Sequence, residues 1–328
     1  MGIIEVITND VAVEREAPET VLELPESGPS AVGSTYWRRV LSCPREHFLA
    51  NELRWAPKRR SLALDMGIAW HAVLEVYYRA WQRRQQKTTA PDEEPPDVIA
   101  YRLLQRFQRA TGWNEHSETL TRMFAAYFEN YDHIDCERWE VVAVEASIQL
   151  EADFAGFPYS SRLDLNILDH TTRTPVFKHV EHKSTGRFDY TVISGYTQDL
   201  QVLGQCWLME HGIDYTKYPP YAGGIVNLTS KAKEPRLARI PVTPAPQQLE
   251  AWEEGLRFGQ KYRLALAGQK YPRNYAHCVG RYGRCQFFDL CQSRPQDTAD
   301  DLRRFDEEDN LPGGVRRANI WDIEETTG

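Results

Sequence analysis

A chain of 328 residues, 41% hydrophobic and 26% charged, has the balance of a globular protein and the length of one large or two ordinary domains. No apolar run nears the roughly 18 residues a membrane-crossing helix needs, and the first twenty residues lack the marks of a secretory signal, so membrane, secreted and collagen-like classes drop out and a reducing cytoplasm is expected. The net charge of −8 is uneven: residues 1–33 carry seven acids against one Arg, residues 295–328 ten against four, and the body 34–294 is net +4.

In chain order, residues 1–33, with Pro18, Pro25 and Pro29, read as an acidic arm. Ser34 or Thr35 is placed to cap a helix running to about Leu53. A basic loop, RWAPKRRS, follows it. Arg38, Arg39 and the 54–60 loop are either phosphate contacts or a solvated helix face and its loop; charge alone leaves both readings open. A second helix over about Leu62–Arg84 is drawn by the helical spacing of Leu64, Ile68, Val73, Val76 and Tyr77. Beyond Pro91, Pro95 and Pro96, further helices are predicted at about 97–111 and 117–131.

The period then shortens to two. WEVVAVEASIQLEA, YSSRLDLNILDH and TPVFKHVEHKS are alternating and β-branched, and predict three successive strands. Helical character returns over Thr197–Gly212. YAGGIVNLTS and RLARIPVT predict two more strands and Pro246–Gly268 a long helix. A Cys-bearing module over Tyr271–Cys291 and an acidic tail, 295–328, complete the chain. The order predicts a mixed α/β fold.

The chemistry gathers on two of the strands. Side chains at i and i+2 share a strand face, so Glu181 and Lys183 sit side by side. If the two strands pair, Asp164 lies beside Glu181. Two carboxylates there would bind a hard cation, and an adjacent ammonium would position a water. Such a set suits phosphodiester hydrolysis, a very slow reaction that demands strong charge stabilisation. The plainer reading of Glu-x-Lys is a solvent-facing ion pair. On the second helix, Gly67, His71 and Glu75 recur every four residues and share a face. His71 is either a core histidine or a nitrogen ligand for the same site. Gly67 would admit close approach of a backbone or a phosphate.

The six cysteines stand at 43, 136, 206, 278, 285 and 291. A disulfide framework is not expected in a reducing setting. Cys136 and Cys206 read as packing residues. Cys278-x6-Cys285-x5-Cys291, with Gly280 and Gly283, and the distant Cys43 make a candidate four-thiolate set. Spacing alone leaves iron–sulfur, zinc and no metal open.

Gly-x3-His on a helix, an Asp on one strand and Glu-x-Lys on the next resemble the RecB-like branch of the PD-(D/E)xK nuclease superfamily. The resemblance implies a restriction-endonuclease-like core, a central mixed sheet flanked by helices, over residues 34–294. It would carry a helical N-terminal elaboration and a C-terminal Cys-rich iron–sulfur module. It implies His71, Asp164 and Glu181 as ligands of Mg²⁺ or Mn²⁺ and Lys183 as the group that orients the attacking water. Gln201 matches the family's Gln, while Gln205 stands where a Tyr is usual and Ser161 where a Gly often precedes the strand Asp. Glu145 matches a commonly acidic position, with a structural ion pair as its plainer role. One Cys before the core and three after it resemble the iron–sulfur members, AddB-type and CRISPR-adaptation nucleases and phage relatives. They imply a [4Fe–4S] cluster on Cys43, Cys278, Cys285 and Cys291. The implied function is metal-dependent DNA cleavage, single-strand or end-directed, in recombination, repair or phage DNA processing, with a helicase or recombination protein as a partner. The alternatives are a non-catalytic iron–sulfur DNA-binding subunit and a four-thiolate zinc protein with an incidental Glu-x-Lys. The chain has no Walker-type phosphate loop that would support a motor.

Overall fold

The computed structural model describes residues 32–57, 62–89, 93–109, 114–267, 271–280, 283–307, 311–313 and 315–317. Helix α1 (Ser34–Ser42) stops at Cys43, whose backbone is extended, and α2 (Pro44–His47) restarts at Pro44 before a π-helical turn over Phe48–Glu52. The single helix expected to Leu53 is therefore broken, because proline disfavours helical backbone in the residue before it. The break takes Cys43 out of the helix.

Next come β1 (Trp55–Pro57) and three long helices, α3 (Leu62–Gln85), α4 (Pro96–Arg109) and α5 (Asn114–Arg138). The alternating region forms β2 (Trp139–Leu150), the short α6 (Ala152–Ala155), β3 (Tyr159–Asp169) and β4 (Val176–Thr185). Then follow α7 (Tyr190–Gly195), α8 (Leu200–Gly212), β5 (Tyr221–Ser230), β6 (Leu237–Val242) and α9 (Pro246–Leu266). The Cys-bearing segment holds β7 (Val279–Gly280), β8 (Gly283–Arg284) and α10 (Phe288–Ser293), followed by α11 (Ala299–Glu307) and β9 (Val315–Arg317).

Five strands form one sheet in the order β2-β3-β4-β5-β6. β4 and β5 are parallel and the other pairs antiparallel. A parallel pair needs a crossover, and α7 and α8 supply it. The sheet is flanked by helices on both faces, as expected of a restriction-endonuclease-like core. On one face α8 buries Val202, Cys206 and Trp207 against Leu163, Val226 and Leu228, with Trp37 of α1 and Trp252 of α9. Gly204 makes this closeness possible: a Cβ there would run into the Tyr159 hydroxyl and lie 2.7 Å from the Trp252 ring. On the other face α3, α4 and α5 bury Trp70, Tyr77, Phe107 and Phe124 against Val144, Ile167 and Val180. Leu64, read as part of the apolar stripe of α3, is exposed instead.

Part of the expected acidic tail joins a third core, while residues 318–328 lie outside the described residues. Ala299, Leu302 and Val315 pack with Phe48, Trp55, Tyr271 and Leu290. β9 pairs antiparallel with β1, and the Trp55 indole donates to Asp306 at 2.8 Å. Sparse apolar residues among acids therefore dock this segment on the helical start of the chain. The acidic arm lies outside the described residues up to position 31, as do Lys58, Arg59 and Arg60 of the basic loop. Among the described residues no helix is long and apolar enough to cross a membrane.

Candidate active site

The site opens where the sheet splits. The β3–β4 ladder runs from Asp169↔Val176 to Leu165↔Val180 and ends there, so Asp164 and Glu181 are the first residues of the splayed strands. The freed backbone is not left bare. The His182 N–H donates to Asp164 Oδ2 at 2.7 Å, which ties the carboxylate across the gap.

Helix α3 brings His71 to the same point, with Nδ1 3.2 Å from Asp164 Oδ1. On β4, the Lys183 ammonium donates to Glu181 Oε1 and, at 2.9 Å, to Gln201 Oε1. Gln201 returns a bond from Nε2 to Glu181 Oε1 at 2.7 Å, and Gln205 Nε2 donates to Glu181 Oε2 at 2.5 Å. Both amides come from α8 one turn apart, at a spacing that puts them on one face. The Asp199 side chain caps that helix, accepting from the Gln201 N–H at 2.9 Å. The five residues read from the sequence as the catalytic set therefore meet around the end of β4. Gln205, which occupies the family's Tyr position, takes part as a second amide on Glu181.

Glu145 belongs with them more closely than its sequence reading had it. It lies on β2 between the pairs Val144↔Leu165 and Ala146↔Leu163, close to Asp164, and its φ of +56° is left-handed backbone. That conformation costs a non-glycine residue roughly 1–3 kcal/mol, a strain typical of functional positions. Its carboxylate pairs with Arg162, as the plainer reading expected, and its side chain is only 4% exposed. Ligand atoms of His71, Glu145 and Asp164 all lie within 4.8 Å of one another, so this trio offers one nitrogen and two oxygens to a cation. The irregularity of β2 between Val141 and Ala143 helps set this register, and no local pattern announces it.

The electrostatics are those of crowded carboxylates. Burial, then Asp164, push the Glu145 carboxyl up to about 8, against the pull of Arg162. Burial and Asp164 likewise raise Glu181, against Lys183. Burial also opposes the charge on Asp164, but His71 and Lys183 outweigh it and hold that carboxyl below the usual range. For His71 burial favours the neutral ring, and Asp164 more than offsets this and raises it. Three acids this close repel one another, and a divalent cation relieves that repulsion. The donor set, imidazole plus carboxylates, suits Mn²⁺ and, with added waters, Mg²⁺.

Of the candidate phosphate contacts, Arg38 points to solvent with its guanidinium 3.6 Å from Asp199. Arg39 turns inward to Asn51 at 2.9 Å and Glu46 at 3.9 Å, so it is a structural residue. Gly67 faces open space where a side chain would stand, one turn before His71.

Cys43, Cys278, Cys285 and Cys291 line one cavity, with Arg45 and Arg273 among its walls. Burial pushes the Cys285 thiol up to about 12, and burial also raises Cys291 against the pull of the two arginines. A metal bound there would draw the Cys285 and Cys291 thiols into their thiolate form. Hydrogen bonds join the cavity's two sides: Asn274 Nδ2 to Ser42 O at 2.7 Å, His277 to Glu46 at 2.7 Å and Gln286 to Glu46 at 3.0 Å. Cys206 is buried, as its sequence reading had it, whereas Cys136 is exposed at the end of α5.

No curated protein matches this chain. Among solved structures it is similar to a Eubacterium rectale protein described as a "Putative exonuclease", at 12% identity and a TM-score of 0.48, over 80% of this chain and 87% of that one. The family model of the PD-(D/E)XK nuclease superfamily matches residues 35–292, which include every site residue named above. The chain belongs to the PD-(D/E)XK nuclease superfamily.

Proposed function

We propose that this protein is a metal-dependent deoxyribonuclease of the RecB-like type, acting on single strands or DNA ends. The observation that carries the reading is the meeting of His71, Asp164, Glu145, Glu181 and Lys183 where β3 and β4 part. His71, Asp164 and Glu181 were the ligands expected from the sequence. The geometry favours Glu145 as a companion of His71 and Asp164, with Glu181 oriented by two amides and an ammonium. A bound Mg²⁺ or Mn²⁺ supplies Lewis-acid neutralisation of the scissile phosphate and a lowered pKa for water.

The chain's own residues do the rest. Glu181 and Asp164 raise the Lys183 pKa against the effect of burial, so its ammonium stays charged beside the developing negative charge. Gln201 accepts from that ammonium at 2.9 Å and so holds it in place beside Glu181, where it would orient the attacking water. Glu181, gripped through both oxygens, orients the same water as an acceptor.

The cavity of four cysteines fits a [4Fe–4S] cluster by donor type, and Arg45 and Arg273 would offset its negative charge. Its role is to join the Cys43 segment to the C-terminal segment rather than to carry electrons to the site. Recombination, repair or phage DNA processing, with a helicase as partner, is the setting that agrees with this assembly. The test is Mn²⁺-dependent cleavage of DNA by anaerobically purified protein beside Lys183→Ala. Loss in the variant is expected, and undiminished cleavage would overturn the reading. Iron and sulfide analysis of the same preparation tests the cluster, with four irons per chain expected for the proposed cluster; zinc in their place would refute it.

A further inference from the structure

Residues 184–199 leave the site at Lys183 and return to it at Gln201, and those two side chains are 2.9 Å apart. The excursion is therefore anchored to the active site at both ends. Its first residues lie against the β5–β6 turn, because the Lys231 N–H donates to Thr185 O at 2.8 Å. From that turn's far end the Arg236 guanidinium donates to Phe188 O at 3.1 Å and covers the Phe188 ring at 4.6 Å. On its return the excursion meets Arg38 through Asp199. The excursion and the segments it meets thus bring together Arg38, Arg187, Lys231 and Arg236, of which Arg38 lies 3.6 Å from Asp199 and Arg187 pairs with Asp189.

Within the excursion, at the start of α7, stands Tyr190, the most exposed large aromatic among the described residues at 83%. Its backbone is fixed, because the Asp189 side chain caps α7 and accepts from the Val192 N–H at 3.0 Å. A solvent-facing ring on a capped backbone, with Arg236 held against the same segment, has a clear physical use. Unpaired bases expose π-faces that stack on such a ring while their phosphates pair with the cations. In a duplex those faces are already stacked on neighbouring bases.

We propose that Tyr190, with Arg236 and its neighbouring cations, is a landing for single-stranded DNA that stacks an unpaired base next to the active site. The proposal rests on the nuclease reading and names its substrate form. The experiment is an anisotropy titration of a labelled single-stranded oligonucleotide and of its blunt duplex, in Ca²⁺, against wild type, Tyr190→Ala, Tyr190→Phe and Arg236→Ala. Tyr190→Ala is expected to weaken single-strand binding about 5- to 100-fold, with Tyr190→Phe close to wild type and duplex binding unchanged. Arg236→Ala is expected to lower the salt slope of single-strand binding by about 0.7, because one phosphate fewer is neutralised. Wild-type affinity in Tyr190→Ala, an equal loss on duplex, or no single-strand binding by wild type would each overturn the proposal. The nuclease reading is judged separately, by whether Lys183→Ala abolishes cleavage, so either idea can fail alone.

Discussion

Asp135 and Arg239 stand 104 residues apart in sequence and form a bidentate pair, at 2.6 and 2.7 Å, beneath the sheet face opposite α8. The same carboxylate accepts from the Tyr78 hydroxyl at 2.9 Å, and the Arg239 guanidinium lies over the rings of Tyr131 and Trp139 at 3.7 and 4.2 Å. Asp135→Ala would leave a largely buried guanidinium without its acceptor and would take one of two partners from the Tyr78 hydroxyl, which also meets the Tyr127 hydroxyl at 2.6 Å. Breaking a buried pair from one side costs about 3–5 kcal/mol, and Arg239, 19% exposed, points to the lower end. At about 2 °C per kcal/mol for a chain of this size, the melting temperature should fall by roughly 6–8 °C. Asp300→Ala is the control, since its partner Arg303 is a surface contact worth no more than about 1 kcal/mol. The double variant Asp135→Ala/Arg239→Met should recover part of the loss, because no charge remains buried. Calorimetric unfolding checks all three. A loss in Asp135→Ala no larger than in Asp300→Ala, or no recovery in the double variant, would refute the reasoning.

Other consequences are as concrete. Gly204→Ala should destabilise by about 1–3 kcal/mol through collision with Tyr159 and Trp252, although alanine is the better helix former; denaturant unfolding would read it, and unchanged stability would contradict the packing described. Gly67→Ala meets no protein atom, so it should stabilise α3 by about 1 kcal/mol and yet slow DNA cleavage. Full cleavage by that variant would show that substrate does not approach there. His47 is buried, and burial followed by Arg263 and Arg39 lowers its pKa to about 4. The unfolded chain binds that proton from about pH 6.5 downward and the folded chain does not, so stability should decline as pH falls from 6.5 to 4, by at most about 3 kcal/mol. A His47→Gln variant should show a shallower decline over that window, and an unchanged pH profile would be the contrary result.

What could be read from the sequence was whatever obeys a local rule. The two-residue alternation of β4 put Glu181 beside Lys183, and the 3.6-residue period of α3 put Gly67 and His71 on one face. The helix after β4 carried Gln201, and Gln205 one turn later was visible at the same spacing. The break at Cys43 was missed, although Pro44 marks it, because the helix was drawn on to Leu53. Glu145 was harder: its place beside Asp164 depends on a register irregularity and a left-handed residue inside a strand. Arg38 and Arg39 are adjacent in sequence and differ only in which side of α1 meets the core. The docking of α11 and β9 rests on a few apolar side chains in an acidic stretch, where composition pointed to solvent. The Asp135–Arg239 pair has no local signature.

The nuclease chemistry is tested most directly by cleavage of end-labelled single-stranded DNA by anaerobically purified protein, with Mn²⁺ and with chelator, beside Lys183→Ala. Cleavage that requires the metal and falls by about 100-fold or more in the variant is expected. Cleavage that survives chelator, or that Lys183→Ala performs as well as wild type, would contradict it.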